Sequence, residues 1–127
     1  MTTVVDRWIE CVVDGRTDNL ADLLAEDAVF YSPAVFTPQK GRPAASAYLL
    51  AAERLFAGTG FHYVETWRGE RSAVLEFAAD IDGTHVEGVD IIHWNSEERI
   101  VSVKVMMRPL RALQAVIPRM ADLLKNG

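Results

Sequence analysis

Apolar residues recur every three or four positions near the start of the chain, at Val5, Trp8, Ile9, Val12 and Val13. Asp6, Arg7, Glu10 and Asp14 lie largely on the other side. That is the stripe of an amphipathic helix over residues 3–14, and Gly15 stops it. Thr17 or Asp18 is suited to cap a short second helix carrying Leu20, Leu23 and Leu24. Residues 27–32 read as a short strand ended by Pro33, and residues 33–42 as a loop with two prolines and Gly41. Pro43 suits the first turn of a third helix that runs through Phe56, with Gly58 as its stop.

The second half changes period. Residues 61–68, 72–81, 84–94 and 99–108 are rich in β-branched and aromatic residues at alternating positions. Gly69-Glu70 and Asp82-Gly83 are turn pairs, and Asp-Gly is a strong hairpin signal. Residues 95–98 make a longer loop. These runs predict a four-stranded antiparallel meander. Pro109 opens a last helix with Leu110, Leu113, Val116, Ile117 and Met120 on one stripe. Pro118 is expected to kink or break it, because proline removes a backbone donor. Helices before and after an antiparallel sheet mean an α+β fold, a curved sheet packed against a long helix as a half-open cone.

Alternation along the strands assigns faces. A two-residue turn at Asp82-Gly83 sets Ile81 opposite Thr84, Leu75 opposite Asp90 and Phe77 opposite Gly88. Pairing Trp94 with Arg99 sets Asp90 opposite Val103, Ile92 opposite Val101 and Val86 opposite Met107. One face then collects Ala73, Leu75, Phe77, Ala79, Val86, Ile92, Trp94, Val101, Val103, Val105 and Met107, with a single polar member, Asp90. Continuing through Gly69-Glu70 adds His62, Val64 and Thr66 to this inner face. The other face mixes Glu76, Glu87, His93, Ser102, Lys104 and Arg108 with Val74, Val89, Ile91 and Met106.

Composition narrows the classes. The chain has 127 residues, 50% of them hydrophobic, which is one domain able to bury its own core. Its net charge of −5 argues against a nucleic-acid partner. The single cysteine, Cys11, excludes an intrachain disulfide framework. No apolar run approaches the ~18 residues of a membrane span, so no membrane partner and a cytoplasmic location are expected. His85 with Asp80 and Glu87 matches no metal signature and reads as an exposed cross-strand group, so no metal and no cofactor are expected.

Asp90 is the informative residue. A carboxyl on an apolar face is desolvated, which raises its pKa and makes it a candidate proton donor or acceptor near neutral pH. The alternative is an Asp held structurally by backbone N–H groups. His62 is a candidate catalytic partner, or else a satisfied inner histidine. Trp8, Phe30, Ser32, Tyr48, Leu75, Phe77, Val103, Val105 and Met107 are the candidate pocket residues. Ser32 has no activating base evident from sequence and reads as a strand end.

Several stretches together resemble the SnoaL-like and ketosteroid-isomerase-like branches of the nuclear transport factor 2-like superfamily. They are Asp27-Ala28 followed by Ser32-Pro33; Gly41-Arg42 heading a helix; Gly88-Val89-Asp90-Ile91-Ile92-His93-Trp94 followed by Arg99-Ile100-Val101; and Met106-Met107-Arg108-Pro109-Leu110. The resemblance spans roughly residues 4–117 and implies one domain over 1–127, a cone-shaped cystatin-like roll. Independently, the outer face mixes Val74, Val89, Ile91 and Met106 with charges, and this partly apolar patch predicts a homodimer through that face. The isomerases' catalytic base falls on Ser32, their helix-borne oxyanion tyrosine on Trp8 and a supporting tyrosine on Leu49. Their protonated aspartate falls on Asp90, which is kept. The resemblance thus implies a pocket for a small hydrophobic molecule of aromatic, polyketide or terpenoid kind, with isomerase, cyclase or dehydratase chemistry through Asp90. The alternatives are a binding module without chemistry and a structural dimer whose pocket is filled by its own side chains.

Overall fold

The computed structural model describes residues 3–16 and 19–126. Helix α1 (Val4–Val13) opens on a reciprocal cap. The Asp6 N–H donates to Thr3 Oγ1 and the Thr3 N–H donates to Asp6 Oδ2, each at 3.1 Å. Such a box contributes about 1 kcal/mol by satisfying donors the helix leaves orphaned. Val4, Val5, Trp8 and Cys11 form its buried stripe. The short α2 (Leu20–Leu23) follows. The expected caps Thr17 and Asp18 lie outside the described residues.

Strand β1 (Leu24–Tyr31) starts earlier than the sequence suggests. Leu24, expected on the second helix, is its first and fully buried residue. The 33–42 loop contains a two-residue strand, β2 (Gln39–Lys40), paired antiparallel with β1. Helix α3 (Arg42–Phe56) then leads to β3 (His62–Arg68), β4 (Ser72–Ile81), β5 (Thr84–Trp94) and β6 (Ile100–Arg108). The sheet has six strands in the order β2-β1-β6-β5-β4-β3. The four-strand meander is therefore extended by β1, which lies parallel to β6. Parallel pairing joins segments distant in sequence, so no turn signal announces it.

The β4–β5 register is the one the Asp82-Gly83 turn dictates, with Ile81, Phe77 and Leu75 opposite Thr84, Gly88 and Asp90. The β5–β6 register corrects the expectation by two residues. Asp90 faces Val105, Ile92 faces Val103 and Gly88 faces Met107. The loop closes on Trp94 and Ile100, and a bulge between His93 and Trp94 adds the rest of the slip. An even slip preserves faces, so Val103, Val105 and Met107 still point inward. At the bulge Ile100, rather than Val101, is fully buried.

On β3 the slip is odd. A register shift between Tyr63 and Glu65 leaves Thr66 opposite Leu75 but turns Val64 and His62 outward. Tyr63 takes the inward position instead. Helix α4 (Leu110–Asn126) runs through Pro118 without the break that was one of the two expected outcomes. Ala112 and Val116 are buried before the proline, and Met120 and Leu123 pack on the same core after it. That packing outweighs the hydrogen bond proline forfeits. No described helix is long and apolar enough to cross a membrane.

The inner face carries two packing clusters. One joins α1, α2 and β1 to Leu75, Ile92 and Val103. The other joins Leu55 of α3, Phe77, Val86 and Val116 of α4.

Candidate functional site

A cavity of about 420 Å3 opens at the seam of the two clusters. Trp8, Cys11 and Phe30 line it from the first, and Leu55, Phe77 and Val116 from the second. This volume suits a small organic ligand. Three phenylalanines form one wall: Phe61 lies 5.1 Å from Phe56 and 5.0 Å from Phe77, centroid to centroid, and Phe56 lies 5.6 Å from Phe77. Such mutual ring contacts hold a wall in place beyond simple burial.

Asp90 projects from β5 into this cavity. At 7% exposure it is the one buried polar or charged side chain among the described residues. Its neighbours across the ladder, Leu75 and Val105, offer it no hydrogen bond. Burial pushes its pKa from 3.8 up to about 7, against a smaller downward pull from the Tyr63 hydroxyl. The Tyr63 hydroxyl donates to Asp90 Oδ2 at 2.6 Å, and the indole N–H of Trp8 donates to the Tyr63 oxygen at 2.9 Å. Tyr63 in turn has its pKa held well above 10.0, first by burial and then by the negative charge of Asp90. No protein group among the described residues hydrogen-bonds Asp90 Oδ1. Among the described residues the remaining carboxylates on the wall are exposed Asp14 and half-buried Glu53, and no Lys, Arg or His lines it. Among the described residues no group of His, Cys, Asp and Glu is gathered to hold a metal ion.

The structure sorts the expected site residues. Asp90, Trp8, Phe30, Ser32, Phe77, Val105 and Met107 meet at the cavity. Ser32 Oγ accepts from the Ala34 N–H at 3.0 Å. Tyr48, Leu75 and Val103 do not line it. Tyr48 stacks on Phe30 at 5.2 Å, and Leu75 and Val103 are consumed in the core. His62 is the clear correction: it is exposed, and its Nδ1 pairs with Gly60 O at 2.9 Å. The β3 bulge put Tyr63 where His62 was expected. Strict alternation could not find Tyr63, although a tyrosine beside a lone inner acid was a usable hint.

The SnoaL-like domain profile matches residues 5–103. No curated protein sequence matches the chain. A steroid Δ-isomerase from Pseudomonas aeruginosa is 32% identical, with TM-score 0.91 over 97% of this chain and 90% of that one. An uncharacterised protein with a cystatin-like fold from Silicibacter pomeroyi is 28% identical, with TM-score 0.88 over 96% and 85%. An epoxide hydrolase/cyclase-like enzyme of salinomycin pyran-ring formation shares the fold at 20% identity and TM-score 0.67, over 84% and 89%. With most of its length matched by the profile and an inner acid at the focus of its cone, the chain belongs to the SnoaL-like family, whose members include isomerases and cyclases.

Proposed function

We propose that the cavity takes a small hydrophobic molecule bearing an acceptor oxygen, and that Asp90 moves a proton in an isomerase-, cyclase- or dehydratase-type reaction on it. The observation that carries this reading is a buried carboxyl facing a largely apolar cavity, where burial pushes its pKa up to about 7. A neutral Asp90 can hand its proton to the ligand oxygen as charge develops there; the carboxylate left behind then recovers a proton from the ligand. The net proton count is unchanged, as isomerisation requires. A group with pKa near the working pH serves both halves. The apolar walls strengthen the donor by excluding water.

The test begins with a thermal-shift screen of hydrophobic ketones, polyketide-like and terpenoid-like compounds, followed by turnover assays on those that bind. Asp90→Asn is expected to lower kcat by about 100-fold or more while binding the same compounds within a few fold. Unchanged turnover in Asp90→Asn overturns the catalytic role. A second reading, a binder without chemistry, is favoured by Ser32: the position where the resemblance sets the isomerases' catalytic base carries no titratable group. Retention of a ligand without turnover in the wild type would establish it.

We also propose that a second copy covers the outer sheet face. Trp67, Val74 and Ile91 form one outward row across three strands, and Val89 and Met106 continue it in the next row. Trp67 and Met106 are 50% and 51% exposed. Lys104 flanks this band on β6, and Glu65 and Glu76 flank it on β3 and β4, so a two-fold copy can set base over acid. Sedimentation at micromolar concentration should show twice the 14.1 kDa chain mass. A species of one chain mass alone would refute the dimer.

A further inference from the structure

A neutral carboxyl can carry its proton on either oxygen, and only one of the two serves the cavity. We infer that Tyr63 is a positioning residue: it holds Asp90 Oδ2 as an acceptor and so leaves the exchangeable proton of Asp90 on Oδ1, with Trp8 setting the direction of the chain. This rests on the reading of Asp90 as the working acid.

Counting donors and acceptors along these three side chains fixes the proton's place. An indole N–H only donates. The Trp8 indole points at the Tyr63 oxygen at 2.9 Å, so that oxygen accepts there. Tyr63 has one proton, and among the described residues its hydroxyl has one other partner, Asp90 Oδ2, at 2.6 Å. If Asp90 placed its own proton on Oδ2, two hydrogens would meet between the oxygens, and one donor would be left without an acceptor in a largely buried place. The proton therefore sits on Oδ1. The three residues come from α1, β3 and β5. Tyr63 reaches Asp90 across the intervening β4 only because the register shift beside Val64 turns it inward. Bulges that re-aim a side chain gather at functional sites.

The assay reads Asp90 without a ligand. In the whole protein carrying 13C-labelled aspartate, the carboxyl resonance that disappears in Asp90→Asn is followed through pH. The groups facing Asp90 are few. Tyr63 comes from β3, Cys11 of α1, Asp14 at its end and Glu53 of α3 line the same cavity, and β4, β6 and α4 contribute Leu75, Val105, Val116 and Met120. Tyr63→Phe removes the one donor to the carboxylate among the described residues and is expected to move the midpoint up by about one pH unit. Replacing the three tyrosines biosynthetically by 3-fluorotyrosine makes the donor stronger and should move it down; this arm needs no mutation and protects the test if Tyr63→Phe folds poorly. The Trp8 indole N–H resonance should titrate together with Asp90 in the wild type and lose that response in Tyr63→Phe.

Opposite signs in the two arms, with the coupled indole response, support the positioning role. No movement in either arm, or movement the same way in both, overturns it. Normal turnover in Asp90→Asn would instead remove the proposed function while leaving these titrations to stand, so the two failures are distinct.

Discussion

Asp90→Asn should stabilise the protein at pH 8 by about 2–4 kcal/mol and change its stability little at pH 4. The sign follows from proton counting. The folded state holds the Asp90 proton up to about 7, whereas an ordinary carboxyl gives it up near 3.8. Between those values the native state binds more protons than the unfolded chain, so stability falls as pH rises through the window and is flat above it. A shift of three units corresponds to about 4 kcal/mol, an upper figure because water and backbone relax around a buried charge. Asn keeps an oxygen for the Tyr63 hydroxyl and turns an amide towards the cavity, without a charge to bury. Its unfolding free energy should thus lack the wild type's decline between pH 4 and 7. Asp6 works in the opposite sense only in acid. Its hydrogen bonds from Thr3 hold its pKa below 3.8, and the stability it contributes is lost as pH falls beneath that value. Urea denaturation at pH 4.5, 6 and 8 would measure the difference; a wild type whose stability does not decline over that range would show that Asp90 is not desolvated. In thermal terms the gain at pH 8 is about 10 °C for a domain of this size. The variant expected to be most stable at pH 8 is the one expected to lose turnover, since the charge that destabilises the fold is the charge the chemistry needs.

The inner position of Asp90 was legible because two local signals agree. Strict alternation on β4 and β5 gives one polar intruder on an apolar face, and the Asp-Gly turn fixes which residues oppose each other. Where a strand carries a bulge, alternation misleads. One extra residue near Val64 exchanged His62 for Tyr63, and with it the chemistry of Asp90's partner. At the β5–β6 end the slip was even, so the faces survived although the individual partners did not. The cavity was harder to read than the sheet. Phe30 and Trp8 belong to the apolar stripes of their own elements, and so do Leu75 and Val103. Which of them meets empty space depends on how far α3 and α4 stand from the sheet. That distance is set by contacts such as Phe56 with Phe77 and Val116 with its cluster, which no single segment encodes.

Gly88→Ala is expected to destabilise the protein by about 3 kcal/mol and to narrow the cavity. Gly88 stands two residues before Asp90 on the same inward face, between Phe77 of β4 and Met107 of β6. A Cβ built there overlaps Cζ of Phe77, lies 2.9 Å from its Cε2, and lies 2.6 Å from the Met106 carbonyl oxygen. The ring of Phe77 thus occupies the space a side chain would fill. Replacing glycine by alanine at an unstrained position normally stabilises by about 0.4–1 kcal/mol, because the unfolded chain loses freedom. Here the overlap must exceed that gain, and it has two parts of different stiffness. The ring could swing only towards the cavity or into Phe56 and Phe61, whose centroids already lie 5.6 and 5.0 Å away. The carbonyl belongs to the β6 backbone and cannot move without disturbing the ladder that sets Asp90 beside Val105. Adding Phe77→Leu to Gly88→Ala should therefore recover part of the loss, the ring's share, and leave the backbone's share. A double-mutant cycle by urea denaturation separates them, with a coupling of about 1 kcal/mol expected between the two positions. A single variant as stable as the wild type would mean that β5 and β6 are not held at this spacing. In that case the wall that presents Asp90 to the cavity would be softer than its packing implies.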